Sequence, residues 1–367
     1  MKKFLVLIFV LIMSITSFAD EEYLKGKVIS QVGSYIKPEY SEQLERIEEY
    51  KIRLFNSEKK EIIVQVPIYR EKQYNINFKI GDNVIVYKSI NEIDGNEKEE
   101  FYISDVDKRG SLLTITIIFL FLVLLISRFN GLKAIVGLTI SILFIGVIFI
   151  PGISSGGSPI LFAVLSCAFS SIVSIYFIAG YNKKALVSII GTIIGVALSG
   201  ALSHLFIYKM RLTGYTSTEL LTYGDLFKNI DLRELISAGI IIGSLGAIMD
   251  VTVSIASSIN EIYDHNPNIK TKKLYKSAVK IGNDIIGTMI NTLILAYIGS
   301  SLISIVVLYI QKANYTFNRI INYEEIAIEI LRSICGSIGI VIAVPITAFI
   351  GSYLFTNKIF IKEILKK

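Results

Sequence analysis

GIIIGSLGAIMDVTVSIASSINEI, residues 239–262, and IGNDIIGTMINTLILAYIGSS, residues 281–301, decide how the rest of the chain is read. Each is long enough, at about 1.5 Å per residue, to cross a hydrocarbon layer of about 30 Å. Each also carries polar residues that a plain lipid anchor does not need. On the first, Gly243, Gly246, Asp250, Ser254, Ser257 and Glu261 follow one another by three or four residues. At about 100° per residue they form one narrow row on a helix. On the second, Asp284, Thr288 and Asn291 repeat that spacing. A carboxylate at membrane depth costs at least a few kcal/mol, so it normally faces a bundle interior or a wet cavity.

Composition agrees with a membrane chain. Of 367 residues, 52% are hydrophobic, and the mean hydropathy is +0.59. That is too apolar for a water-soluble domain. Charge is unevenly shared: residues 20–110 carry 15 Lys+Arg against 19 Asp+Glu, and residues 111–367 carry 20 against 12. The pI near 9.0 therefore reflects basic loops beside a membrane, and no nucleic-acid partner is expected. The two cysteines, Cys167 and Cys335, both lie in apolar stretches and read as small buried hydrophobes. With no Trp, the 20 Tyr must supply most of the interfacial belt.

Residues 1–19, MKKFLVLIFVLIMSITSFA, have a charged start, an apolar core and a small-x-small end, the pattern of a secretory signal peptide, cleaved or retained. Residues 20–110 have strand-like texture. The runs KGKVIS, EIIVQVPIY, NINFKI, NVIVYKSI and EFYISDV are short and β-branched, with breaks at Gly33, Gly81-Asp82 and Asp94-Gly95. SEQLERIEEYKIRLF reads as a helix or another strand. A small extracytoplasmic β-barrel or sandwich of about five strands is expected.

From Ser111 seven apolar segments follow, at roughly 112–127, 132–150, 159–179, 185–207, 235–257, 284–310 and 326–355. The fold class read from the sequence is thus an α-helical multi-pass membrane protein of about seven transmembrane helices, with a small N-terminal extracytoplasmic β domain. If that domain is outside, the alternating linkers place 128–133, 180–184, 258–283 and the tail 356–367 inside. These hold 13 Lys+Arg, against six in the other three linkers. The positive-inside bias and the signal peptide agree on a plasma-membrane protein with a cytoplasmic C-terminus.

The strings GAIMDVTVSIASSINEI (246–262), DHNP (264–267), IGNDIIGTMINTLILAYIGSS and GSIGIVIAVPITA (336–348) also resemble the YibE/F family of bacterial multi-pass membrane proteins. The resemblance extends from about Lys25 to the last helix. It implies a multi-span architecture and brings no settled activity. It leads one to expect a basic residue just before Asp284, and this chain has Asn283 there.

Asp250 lies about fifteen residues into its helix, and Asp284 starts the next one from the other side. The two are expected at comparable depth on antiparallel neighbours. Asp250, Ser254, Ser257, Asp284, Thr288 and Asn291 would then line a small oxygen-rich pocket for a proton, a hard cation or a cationic solute, with Glu261 at its cytoplasmic end. Whether a metal enters is left open. The bland alternative is that Ser, Thr and Asn glue helices together while Asp284 caps a helix N-terminus. Other features read as structural. Glu329 and Arg332 pair one turn apart, and lone His204 and His265 complete no metal site. Gly191, Gly195 and Ser199, like Gly239 and Gly243, mark close helix packing. Pro345 should kink the last helix, and PGISSGGSP (151–159) is a hairpin or short re-entrant loop.

Three functions compete at this stage. The first is a permease or exporter of a small ion or solute. The second is a non-transporting scaffold or sensor whose outer β domain binds a protein partner. The third is an intramembrane enzyme, disfavoured because there is no HExxH or GxGD string and only two histidines. No enzyme activity and no cofactor are expected, and the lipid bilayer is the first partner.

Overall fold

The computed structural model describes residues 23–36, 43–55, 61–93, 96–215, 224–310 and 316–357. The signal-peptide reading, the Asp94-Gly95 break and most of the basic tail lie outside those residues. The chain forms two compact units, residues 1–125 and 126–367.

The first unit is built on five strands, β1 (Tyr23–Tyr35), β2 (Leu44–Leu54), β3 (Glu61–Tyr69), β4 (Asn83–Ile93) and β5 (Asn96–Val106). They form one antiparallel sheet in the order β3-β2-β1-β4-β5. β1 pairs with β4 through its first half and with β2 through Gly26–Tyr35, with bulges after Val28 and Gln31 that bend it between the two. β3 and β5 come close to one another, so the sheet curls toward a five-stranded barrel of the OB-fold order. Alternation fills it: Val28, Ile52, Val64, Val84 and Val86 are no more than 1% exposed.

Of the two alternatives for SEQLERIEEYKIRLF the structure takes the strand, β2 over Leu44–Leu54, and one detail differs from the sequence reading: NINFKI is not a strand. It is the connection into β4, because the Asn75 side chain turns back to bond both backbone groups of Tyr69, at 2.6 and 2.9 Å. Its Ile76 and Phe78 still pack on the barrel core, which is why it reads as strand-like. Gly81-Asp82 makes the expected turn, with Gly81 at φ 98° and Asp82 accepting from the Lys79 N–H at 2.8 Å.

The helices are α1 (Arg109–Phe144), α2 (Ile150–Ser154), α3 (Pro159–Ala179), α4 (Lys183–Lys209), α5 (Leu232–His265), α6 (Thr271–Ser300), α7 (Leu302–Ile310), α8 (Phe317–Ile321) and α9 (Glu324–Thr356). Six helical stretches are long and apolar enough to cross a membrane, the first being 109–154. Within it Arg128 has φ 48° and ψ −127°, which breaks the helix in two. The sequence expects a boundary there, and its count of about seven segments is roughly consistent with the six stretches found among the described residues.

In the second unit α5 is central, packed against α4, α9, α3 and α6, while α6 lies in the groove between α9 and α5. The apolar alternation of α5 fills the core with Ile240, Ile241, Ile248, Val251, Ile255 and Ile259, all 0% exposed. Close approach of α4 to α5 and α9 requires glycine. An added Cβ at Gly195 would stand 2.9 Å from Ile248 Cγ2 and 3.0 Å from Ala343 Cβ. The small-residue row on α4 is therefore packing, as its spacing indicates. Pro345 sits inside α9, which runs unbroken from Glu324 to Thr356. PGISSGGSP forms the hairpin alternative: α2, a turn with Gly156 at φ 91°, then Ser158 capping α3 with Pro159 at its first turn. Cys167 and Cys335 are free and buried.

Candidate functional site

The polar residues of α5 and α6 make the candidate site, and their positions follow from how the two helices are rotated. On α5, the buried side carries Ser244, Ile248, Val251 and Ile255, so the Gly243–Glu261 row falls on the other side. Gly243, Gly246, Asp250, Ser254 and Glu261 are exposed and Ser257 is half-buried. The row borders α6: Tyr297 of α6 lies over Gly243, its hydroxyl 2.6 Å from where a Cβ would stand. Glu261 continues the row beyond Ser257. Its carbonyl lies 2.9 Å from His265 Nδ1, and its carboxylate 3.7 Å from the same atom.

On α6, Gly282 packs on Val344 and Ile255, and Leu293 packs against Gly336. Asp284 and Asn291 are each two residues from one of these, about 200° around the helix, so they point away from the groove. Asp284, Thr288 and Asn291 are all exposed. The Thr288 hydroxyl donates to the Ile285 carbonyl at 2.8 Å, while Asp284 and Asn291 take no hydrogen bond or ion pair among the described residues.

Two expectations change. Asp284 is no helix cap, because α6 begins thirteen residues earlier at Thr271 with Lys270 in the cap position. The apolar pattern misses that extra length because Lys272, Lys273, Lys276 and Lys280 occupy its exposed face. The Asp250 and Asp284 rows are also not brought face to face within one chain. They do share depth. Gly282 meets Ile255 and Tyr297 meets Gly243, and the antiparallel register between those contacts sets Asp250 about level with Thr288.

A second polar group lies at the other end of α6. Glu329 Oε1 and Arg332 Nη1 are 2.7 Å apart, with the side chains 20% and 27% exposed. The Arg332 guanidinium is 5.7 Å from the Tyr297 ring centre. The ion pair is legible from the i, i+3 spacing, but the role of Tyr297 in covering it is not, since Tyr297 is one apolar-looking residue among many. Nearby, the Ser304 hydroxyl donates to Glu325 at 2.5 Å. Glu324 accepts from the Thr213 and Gly214 N–H groups, each at 2.6 Å, tying the end of α4 to the start of α9. In the core, the hydroxyls of Thr192 and Thr252 bond at 2.7 Å between α4 and α5. His204 sits edge-on to Tyr208 and His265 is exposed. No three His, Cys, Asp or Glu side chains gather among the described residues.

No curated protein and no solved structure matches the chain. The model of one family, described as YibE/F-like protein, matches residues 115–357, which takes in the described apolar helices from residue 115 onward and leaves the β domain outside the match. That is well over half of the sequence, so the chain belongs to the YibE/F-like family, and the family and the apolar helices together mark a membrane protein.

Proposed function

We propose that the protein is a permease or exporter that carries a small ion or solute past Asp250. The observation that supports this reading most is the carboxylate of Asp250 about eighteen residues into α5, without a hydrogen bond or ion pair among the described residues, on a row whose other exposed members are Gly243, Gly246, Ser254 and, at the helix end, Glu261. Lipid would penalise such a group by a few kcal/mol, whereas a wet path would use it. A carboxyl on that path takes up a proton or cation on one side and releases it on the other. The topology inferred from charge puts residues 20–110 outside and the 266–270 loop and the C-terminus in the cytoplasm. The test is proton- or cation-linked flux in proteoliposomes, with solutes screened on the wild type. Asp250→Asn keeps the side chain's size and removes its titration, so it should insert at normal abundance and lose flux. Equal flux in both would remove the mechanism.

A cleft of about 240 Å³ in the β domain favours a second reading. It lies between β3 and β5, lined by Gln65, Pro67, Tyr69, Tyr74 and Tyr102 among others. Aromatic walls with one amide suit a protein or glycan partner, and a scaffold or sensor would use them. Specific retention of an envelope component by this domain, with no flux for any solute, would favour that reading.

A further inference from the structure

Besides the Asp250 row, the bundle leaves a second membrane-depth surface that lipid does not suit. The apolar window of α6 is only 11% buried, against 39–56% for α3, α4, α5 and α9. Its uncovered side presents Asn283, Asp284, Gly287, Thr288, Asn291 and Thr292, all exposed. Asp284 to Asn291 covers about 10 Å of helix axis. In hydrocarbon, an unpaired carboxyl and an unpaired amide on this face each carry a penalty that only a polar neighbour or water removes.

Among the described residues, the chain's other helices do not supply that neighbour. The second half of α1 is already placed on α3, with Gly137 against Ser174 and Phe144 stacked on Phe169 at 4.1 Å. α3 packs on α4 and α5. The first half of α1 runs Leu112–Ile126 with no polar side chain except Thr114 and Thr116. Their hydroxyls donate to the Gly110 and Leu112 carbonyls of their own helix. It offers no charge or amide to Asp284 or Asn291.

We infer that the exposed face of α6 is an interface between two copies of this chain. The face is suited to its own image. An Asn amide both donates and accepts, so Asn291 can bond its counterpart across a two-fold axis. Gly287 and the threonines let the helices approach. Two Asp284 carboxylates brought toward one axis repel unless a cation or a polar group lies between them. The Asp250 row borders α6 on its Tyr297 side, about 140° around the helix from Asp284, so the interface does not depend on the transport reading.

Single cysteines at Thr288, Asn291 and Leu295 test the interface in native membranes under a mild oxidant. Phe349→Cys, on the apolar exposed side of α9, is the control, and the wild type reports any background from buried Cys167 and Cys335. We expect the α6 variants to form a band at twice 40.9 kDa and the control to remain at 40.9 kDa. A fluorescent fusion should bleach in two steps per spot for wild type. It should bleach in one step for Thr288→Leu/Asn291→Leu, whose leucines are at home in lipid and leave the packed face untouched. Absence of the band at all three positions, one-step bleaching of wild type, or a cross-linked band containing a different protein would each overturn the proposal. None of these readouts involves flux. A failed interface thus leaves the Asp250 reading standing, and full flux in Asp250→Asn leaves the interface standing.

Discussion

Replacing Gly195 with alanine should destabilise the helical unit relative to the same change at Gly246, and the comparison isolates packing. Both glycines are inside helices, so each substitution gains about 1 kcal/mol of helix propensity. At Gly246 an added Cβ meets nothing within 4 Å. At Gly195 it meets Ile248 Cγ2 at 2.9 Å, Ala343 Cβ at 3.0 Å and the Gly339 carbonyl at 3.4 Å. Carbon atoms prefer about 3.5–4.0 Å, so α4 must move several tenths of an ångström from α5 and α9 at once. Overpacking of this kind costs about 1–3 kcal/mol. Gly246→Ala should therefore be stabilised by about 1 kcal/mol, and Gly195→Ala left unchanged or destabilised by up to about 2 kcal/mol. For a unit of this size each kcal/mol moves the melting temperature by about 2–4 °C. The chain has no Trp, so the assay is size exclusion of a fluorescent fusion after heating in detergent. Two variants melting together would refute the tight α4–α5–α9 contact.

Three further outcomes are expected. Impermeant thiol labelling in intact cells should reach a cysteine placed at Lys25 or Gly81 and miss one at Asn268; labelling at Asn268 would invert the proposed topology. Arg332→Ala should cost about 3–5 kcal/mol because it strands the Glu329 carboxylate, while Glu329→Gln/Arg332→Met should recover most of that in the same melting assay. Residues 20–109 alone should give a β-type circular dichroism spectrum. There the Tyr50 hydroxyl donates to Glu48 at 2.5 Å, and burial, then Glu48, push the Tyr50 phenol up to about 12. A raised folded pKa stabilises below the ordinary tyrosine value of about 10 and is lost as pH rises through 12. The Glu48 carboxyl is held low by the same bond, so its contribution is present above its ordinary range and fades as acid is added. Tyrosinate absorbance showing all tyrosines ionised near pH 10 would contradict the buried pair.

Much of this architecture is written locally. Apolar length and composition mark the spans, and the SRFNG stretch at 127–131 marks the break that the structure places at Arg128. Glycine and aspartate at 81–82 fix a turn, and Glu329 with Arg332 fixes an ion pair, because each depends only on near neighbours. The polar rows were equally legible: spacing by three and four residues states that Asp284, Thr288 and Asn291 share one side of a helix. It does not state which way that side turns. The rotation of α6 is set by Gly282 fitting Ile255 and Val344 and by Leu293 fitting Gly336, contacts between residues far apart in sequence. The extension of α6 back to Thr271 was hidden for a related reason, since four exposed lysines outweigh the narrow apolar face of Leu274 and Ala278. Likewise NINFKI alternates as a strand does, yet one side-chain amide at Asn75 redirects it. Sequence by itself determined which long stretches are apolar helices and where the β-rich part ends, because those follow from local propensity and hydropathy. Only the tertiary structure decided that the two carboxylate rows look outward, because helix rotation is chosen by the packing of small residues at distant contacts.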